Sequence, residues 1–226
     1  MFLAGSVAAL QVFIVTGFWQ GCQPKPSEEV DFGSFNQSGY SNHYFGMTVA
    51  IPSDWSVQDQ AAQQRLTKIG ENAIAGSNKN LKAIMKASDL QSINLFAAFQ
   101  YPVGTPKRFN PSVLGVAERV RQLPGIQKGR DYLEHVKQLM QSGQMEISFP
   151  SDIHSQSLAG LDFDVMETEM KVGRAVVKQQ YFATILKGYA LSIIISYSSE
   201  AERARLHDIL DKTTFDPSLV RGGGGK

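Results

Sequence analysis

The first constraint on this chain is its N-terminus. An uncharged apolar run, FLAGSVAALQVFIVTGFW, extends from Phe2 to Trp19. The run is too apolar for a surface helix, and it has about the length of a short membrane span or of the core of a signal peptide. We therefore predict that residues 1–21 are a signal peptide or a membrane anchor and that the folded domain lies further along the chain.

A single cysteine follows this run. Trp19, Gln20 and Gly21 lead directly to Cys22, and a polar spacer rich in Pro, Gly, Ser and acidic residues comes next. This order resembles the lipobox of bacterial lipoproteins, in which the cysteine becomes the lipidated first residue of the mature chain. Gly21 fits the pattern, whereas Trp19 and Gln20 are bulkier than the family prefers and no basic residue precedes Lys25. The resemblance implies lipidation at Cys22.

Two alternatives to lipidation stay open. The N-terminal run could remain uncleaved as an anchor helix, with Cys22 as a bystander, or it could be buried as a helix in a soluble protein. Lipidation and the anchor helix both place the domain outside the cytoplasm, attached to a membrane of the cell envelope. A thiol role for Cys22 is the weakest option, because nothing nearby would lower its pKa.

Composition excludes several other classes. With one cysteine in 226 residues, neither a disulfide nor a cysteine-based metal cluster can form within the chain. The formal net charge is +1, from 22 Lys and Arg against 21 Asp and Glu, with no basic stripe. Nucleic acid is therefore not an expected partner. The length suits one domain with accessory segments.

The composition changes twice along the chain. Residues 22–39 contain Pro24, Pro26, Gly33 and Gly39 but few apolar residues, which predicts a flexible tether. Residues 40–217 have the alternating and helical patterns of a packed domain. Residues 218–226 end in a run of glycines and are predicted to form a disordered tail.

Within the domain, apolar periodicity and turn residues predict the elements. The predicted strands cover 47–51, 93–101, 145–149, 161–171, 175–187 and 189–197. The predicted helices cover 110–123, 131–141, a segment after Ser199, and 59–85 with a break at Gly76-Ser77-Asn78. Asn110 is the predicted N-cap of the second helix, and Val172-Gly173 and Lys187-Gly188 are the predicted hairpin turns. Apolar residues on both faces of the last strand predict an antiparallel sheet covered by helices on both faces, an α+β fold.

Short motifs at both ends of the domain resemble those of PsbP-like domains, the group that includes the bacterial DcrB-like lipoproteins. The opening motif comprises Tyr40, Asn42, Phe45, Gly46, Ile51, Pro52 and Trp55, and the closing one comprises Gln179, Tyr181, 188–191 and 196–199. The resemblance covers about the whole of 40–217. It implies an α/β/α sandwich but no shared chemistry, because the group consists mostly of accessory or binding proteins with unrelated tasks.

Two sets of residues could carry chemistry. Asp152 and His154 could form an oriented imidazole for base catalysis, although two such residues on one strand commonly have no function. The acidic stretch of Asp162, Asp164, Glu167 and Glu169 could bind a hard cation. A strand spreads these carboxylates over about 20 Å, which favours ordinary cross-strand pairing, with Glu167 predicted opposite Lys178.

The sequence therefore favours a membrane-tethered envelope lipoprotein that binds an envelope protein or a small ligand, without a cofactor, a metal or a catalytic residue. One alternative is an envelope hydrolase assembled from distant residues, with Asp152 and His154 as candidates. The other is a cation-binding envelope protein that uses the acidic strand.

Overall fold

A computed structural model describes residues 31–89, 92–106, 109–172 and 175–218. The predicted signal or anchor segment, Cys22, the first half of the tether and the glycine run lie outside the described residues. The strands are β1 Ser34–Asn36, β2 Gly39–Asn42, β3 Met47–Val49, β4 Ser56–Val57, β5 Ser92–Phe99, β6 Ser112–Arg119, β7 Ile147–Ser148, β8 His154–Leu158, β9 Leu161–Val172, β10 Ala175–Leu186, β11 Tyr189–Tyr197 and β12 Thr214–Phe215. The helices are α1 Gln60–Ala75, α2 Lys79–Asp89, α3 Gly129–Gln141 and α4 Glu200–Asp211.

The described strands form two antiparallel sheets. The larger has the order β4-β5-β6-β11-β10-β9-β7, with β8 also paired to β9, and the smaller has the order β1-β2-β3-β12. The three long strands β9, β10 and β11 are joined by tight hairpins, as their alternating pattern and turn residues predict. At Lys187-Gly188 both residues have positive φ, the backbone that a two-residue hairpin turn with the sheet's twist requires.

Each face of the large sheet has its own apolar core. On one face, α4 and the small sheet contribute Leu206 and Met47 to a cluster with Phe163, Phe182 and Ile193. On the other face, α3 covers Met166, Ala183 and Ala190. Helices α1 and α2 lie on the same face of the large sheet as α3, over β5. The α+β class with helices on both faces of an antiparallel sheet, as predicted, is therefore confirmed.

The predicted helix at 110–123 is wrong, because these residues form the central strand β6. Asn110 does not cap a helix; its side chain accepts from the Tyr101 N–H (2.9 Å) and donates to the Tyr101 carbonyl (2.8 Å), which joins β5 to β6. Val113 and Val116 suit a strand between two neighbours, and Gly115 leaves the space that the Phe96 ring fills.

Other elements differ in their bounds. The predicted strand at 145–149 is reduced to β7, and β8 was not predicted. In the β9–β10 hairpin, Val172 pairs with Ala175, so the predicted turn at Val172-Gly173 is wrong, because Val172 is the last residue of β9. Strand β1 and the first residue of β2 lie within the segment 22–39 that was predicted to be a tether, so the ordered chain begins before Tyr40. The predicted helix break after Ala75 is confirmed.

Among the described residues, no helix is both long enough and apolar enough to cross a bilayer.

Candidate functional site

The acidic strand β9 does not gather its carboxylates. Side chains alternate between the two faces of a strand, so Asp162 and Asp164 lie on one face of the sheet and Glu167 and Glu169 on the other. Within the described part of the chain, no three His, Cys, Asp or Glu side chains are grouped as a metal site would require. The geometry therefore does not favour the cation-binding alternative.

Asp164 and Glu169 each have a structural partner. Asp164 accepts from the Arg130 N–H at the start of α3 (2.7 Å) and from the Ser155 hydroxyl (2.8 Å). Its negative charge at a helix N-terminus stabilises the position of α3 on the sheet. Glu169 pairs with Lys178 at 3.5 Å, so the prediction that Glu167 would lie opposite Lys178 is wrong by two residues.

Asp152 and His154 are not arranged for base catalysis. Both side chains are exposed, and His154 Nδ1 lies 3.4 Å from the backbone oxygen of Asp152 rather than from its carboxylate. An imidazole that acts as a base needs its second nitrogen held by an acceptor that also stabilises the charged ring. The backbone contact, at the long end of hydrogen-bond distances, does not supply that support.

A polar network that the sequence did not reveal joins α4 to the sheet. His207 Nε2 lies 2.8 Å from Gln180 Oε1, and the Gln180 amide donates to Glu167 at 2.7 Å. Glu167 also accepts from the Ser151 hydroxyl at 3.1 Å. Burial, and then the nearby Arg203 charge, lower the pKa of His207. The network holds the His207 imidazole between a helix and two strands, which is a structural role.

The opening motif of the domain fixes the point at which the chain enters it. The Tyr40 hydroxyl donates to the Phe32 carbonyl (2.8 Å), and the Asn42 amide donates to the Asp31 carbonyl (2.9 Å). Asn42 also accepts from the Phe45 N–H at 2.9 Å, which closes the following turn. Burial raises the pKa of the Tyr40 phenol, so this group remains a hydrogen-bond donor at neutral pH. The motif is therefore an anchor for Asp31 and Phe32.

Next to this anchor lies a groove of about 680 Å³ between α1, α2 and the start of β5. We call it the α1–α2 groove. Its lining consists of Phe32, Gln60, Gln64, Thr67, Lys68, Glu71, Asn72, Lys82, Lys86, Ser92, Ile93 and Asn94. Phe32 is 56% exposed although it is large and apolar. The groove thus combines hydrogen-bonding side chains, three ammonium groups and the Glu71 carboxylate with one exposed aromatic ring.

Polar contacts hold the helices around this groove. Asp59 caps α1 by accepting from the Ala62 N–H at 2.7 Å. The Gln60 amide donates to the Asn94 carbonyl at 3.0 Å, and the Asn94 amide lies 3.4 Å from the Thr67 hydroxyl. The bond to the Asn94 carbonyl pairs one of the backbone groups along β5, which has β4 as its neighbour only at Ala98 and Phe99.

The segment that forms the groove is basic. Residues 60–89 contain five Lys or Arg residues and two Asp or Glu residues, although the whole chain has a net charge of only +1. The rest of the chain is therefore slightly acidic. The asymmetry was visible in the sequence, but its concentration around one groove required the tertiary structure.

No protein-family model matches the sequence, and no curated protein matches it. Two solved structures are similar to the chain. LpqN, involved in cell envelope biogenesis of Mycobacterium tuberculosis, aligns with 76% of this chain and 83% of its own, at 11% identity and a TM-score of 0.39. The cyanobacterial PsbP (CyanoP) of Synechocystis sp. PCC 6803 aligns with 81% of this chain and 98% of its own, at 12% identity and a TM-score of 0.47. A PsbP protein is thus among the solved structures similar to this chain, as the sequence resemblance predicts.

Proposed function

We propose that the chain is a membrane-tethered module of the cell envelope whose domain lies outside the cytoplasm and acts by binding rather than by catalysis. The observation that carries this proposal is the α1–α2 groove, which opens where the chain enters the domain from its apolar N-terminus. The groove presents amide, hydroxyl and ammonium groups, which can recognise a polar or anionic partner.

The tethering part of the proposal rests on the sequence of the N-terminus. The uncharged run from Phe2 to Trp19 supplies the export signal or the anchor, and Cys22 is the proposed lipidation site. The polar spacer after Cys22 would keep the domain clear of the acyl chains while it stays attached to the bilayer.

Intact mass of the membrane-extracted protein tests the tethering. We expect a mature chain that begins at Cys22 and carries the additional mass of acyl groups, and we expect Cys22→Ser to prevent both cleavage and lipidation. A full-length chain in the membrane fraction would indicate an anchor helix instead of lipidation, and the tethering would still hold. A full-length chain found free in the cytosol would contradict the proposal.

Site-specific photo-crosslinking in cells tests the binding function. A photoreactive residue at position 64 replaces Gln64, which lines the groove, and the same residue at position 138 replaces the exposed Gln138 of α3 as the matched control. We expect adducts from position 64 only. Equal adducts from both positions, or none from position 64, would contradict a binding role for the groove.

A further inference from the structure

We propose that the α1–α2 groove is a docking surface for the anionic phospholipid head groups of the membrane to which the chain is tethered. The inference rests on the proposed function, because it requires the N-terminus to hold the domain at a bilayer. It adds the partner of the groove and the orientation of the domain, with α1 and α2 facing the lipid.

The first argument is position. The described chain begins at Asp31 and Phe32, Phe32 lines the groove, and hydrogen bonds from Tyr40 and Asn42 fix the backbone of both residues. Cys22 and Asp31 are nine residues apart, so the chain between them can span at most about 32 Å when fully extended. If Cys22 is at the membrane surface, the groove stays within that distance of the head groups, and a short tether gives an effective concentration in the millimolar range.

The second argument is charge. Lys68, Lys82 and Lys86 line the groove, and residues 60–89 carry five basic residues against two acidic ones. Residues 119–137 also carry five basic against two acidic residues, but the three groove lysines lie together close to Phe32, so an anionic surface would attract this side of the domain. The attraction extends over about one Debye length, roughly 10 Å at 0.1 M salt, and it therefore selects an orientation once the tether has brought the domain close.

The third argument is the exposed aromatic ring at the groove. Phe32 lines the groove and is 56% exposed. Surfaces that lie on a bilayer combine basic residues with large apolar residues that enter the boundary between head groups and acyl chains. The three groove lysines and Phe32 provide this combination.

Hydrogen exchange of the full-length protein in nanodiscs tests the docking. The protein is inserted by its own N-terminus into discs of phosphatidylcholine alone or with added phosphatidylglycerol. With phosphatidylglycerol we expect slower amide exchange in α1, α2 and at Phe32, and no change in α3. Raising the salt to about 1 M, where the Debye length is about 3 Å, should remove most of the protection.

Two charge-neutralising pairs make the test specific. Lys82→Gln with Lys86→Gln removes two groove charges and should weaken docking about 30-fold, or about 5-fold for each lysine. Lys171→Gln with Lys212→Gln removes two exposed lysines outside the groove and should leave docking unchanged. Circular dichroism measures whether both double variants are folded.

Three results would overturn the proposal: equal exchange in both kinds of disc, equal loss of protection in both variant pairs, or the same protection from soluble glycerol phosphate in discs of phosphatidylcholine alone. Protection by glycerol phosphate would indicate that the groove binds a free anion rather than the bilayer. Failure of the tethering itself is recognised separately, because the protein would then not co-elute with discs of either composition.

Discussion

Helix α3 and the α1–α2 pair lie on the same side of the large sheet, but they are held there by different forces. Helix α3 buries Tyr132, Leu133 and Met140 in an apolar cluster with the centre of the sheet. Helix α1 is three residues longer, yet its buried residues are Gln63 and Ala75. The burial of an apolar side chain contributes about 1.5–3 kcal/mol, whereas a neutral hydrogen bond contributes about 1 kcal/mol net.

The difference indicates which part of the molecule is a rigid scaffold and which part can respond to a partner. Elements with few buried apolar contacts open at a lower free energy than the core, and binding elements are commonly drawn from them. The α1–α2 pair meets this description and forms the groove. Helix α3 closes the core on the same face and is expected to remain fixed.

The largest expected effect comes from truncating the apolar anchor of α3. Leu133→Ala should lower the free energy of unfolding by about 3 kcal/mol, because Leu133 is 1% exposed and its removal leaves a cavity. Leu66→Ala, at a half-buried position of α1, should cost less than about 1.5 kcal/mol. Urea denaturation measures both, and equal losses would remove the distinction between the two regions.

A pair of helix glycines should respond with opposite signs. A methyl group at Gly129, the first residue of α3, would collide with the Ala183 carbonyl, so Gly129→Ala should destabilise the protein by about 2 kcal/mol. No atom lies within 4 Å of the equivalent position at Gly70 in α1. Gly70→Ala should therefore stabilise the protein by up to about 1 kcal/mol. Thermal unfolding gives both signs, and a destabilised Gly70→Ala variant would show that α1 is more tightly packed than described.

One side-chain contact between the two regions can be removed while the backbone bond from Gln144 N–H to the Ile74 carbonyl (2.8 Å) remains. The Gln144 amide, just after α3, donates to the Ser77 hydroxyl (2.9 Å), and its oxygen accepts from the Ser77 N–H (3.3 Å) between α1 and α2. Gln144→Ala should cost about 1 kcal/mol and accelerate amide exchange in α2 but not in α3. Gln138→Ala is the matched control. Uniform acceleration across both regions would mean that the two helices open together with α3.

The smallest expected effect is the pH dependence of the cap of α3. The Asp131 carboxylate accepts from the N–H groups of Gln127 (3.0 Å) and Lys128 (2.9 Å), and these bonds lower the pKa of Asp131. A lowered pKa means that the stabilisation is complete above the unfolded-state pKa, about 3.9, and is lost as the pH falls through the folded value.

Asp131→Asn should therefore cost less than about 1 kcal/mol at pH 7, since solvent screens this exposed site. The difference from the parent protein should shrink below about pH 4, because the parent carboxylate is then protonated as well. Urea denaturation at several pH values measures this difference. A difference that stays constant down to pH 2 would contradict the assigned role.

Much of the C-terminal half could be predicted from the sequence because its signals are local. Lys187 and Gly188 supply a two-residue turn, and the alternation in 189–197 matches a strand. Ser199 and Glu202 form a capping box that starts α4. Each of these features is decided by residues a few positions apart, so no knowledge of the partner strands is needed.

The errors concern features that depend on distant residues. Asn110 and Pro111 are typical of a helix start, but the Tyr101 backbone, nine residues away, binds the Asn110 side chain instead. Val172 pairs with Ala175, so the β9–β10 register differs by two residues from the prediction, and the partner of Lys178 is Glu169 rather than Glu167. The link between His207 and Gln180 likewise could not be read from local spacing.

By itself the sequence determined an α+β domain with an antiparallel sheet, because strand alternation, turns and caps are encoded within a few residues. It also determined that an apolar run precedes Cys22. Only the tertiary structure decided that the basic segment, Phe32 and the edge of β5 meet in one groove. Side chains far apart in sequence come together through packing and strand register, and neither is specified by any single local pattern.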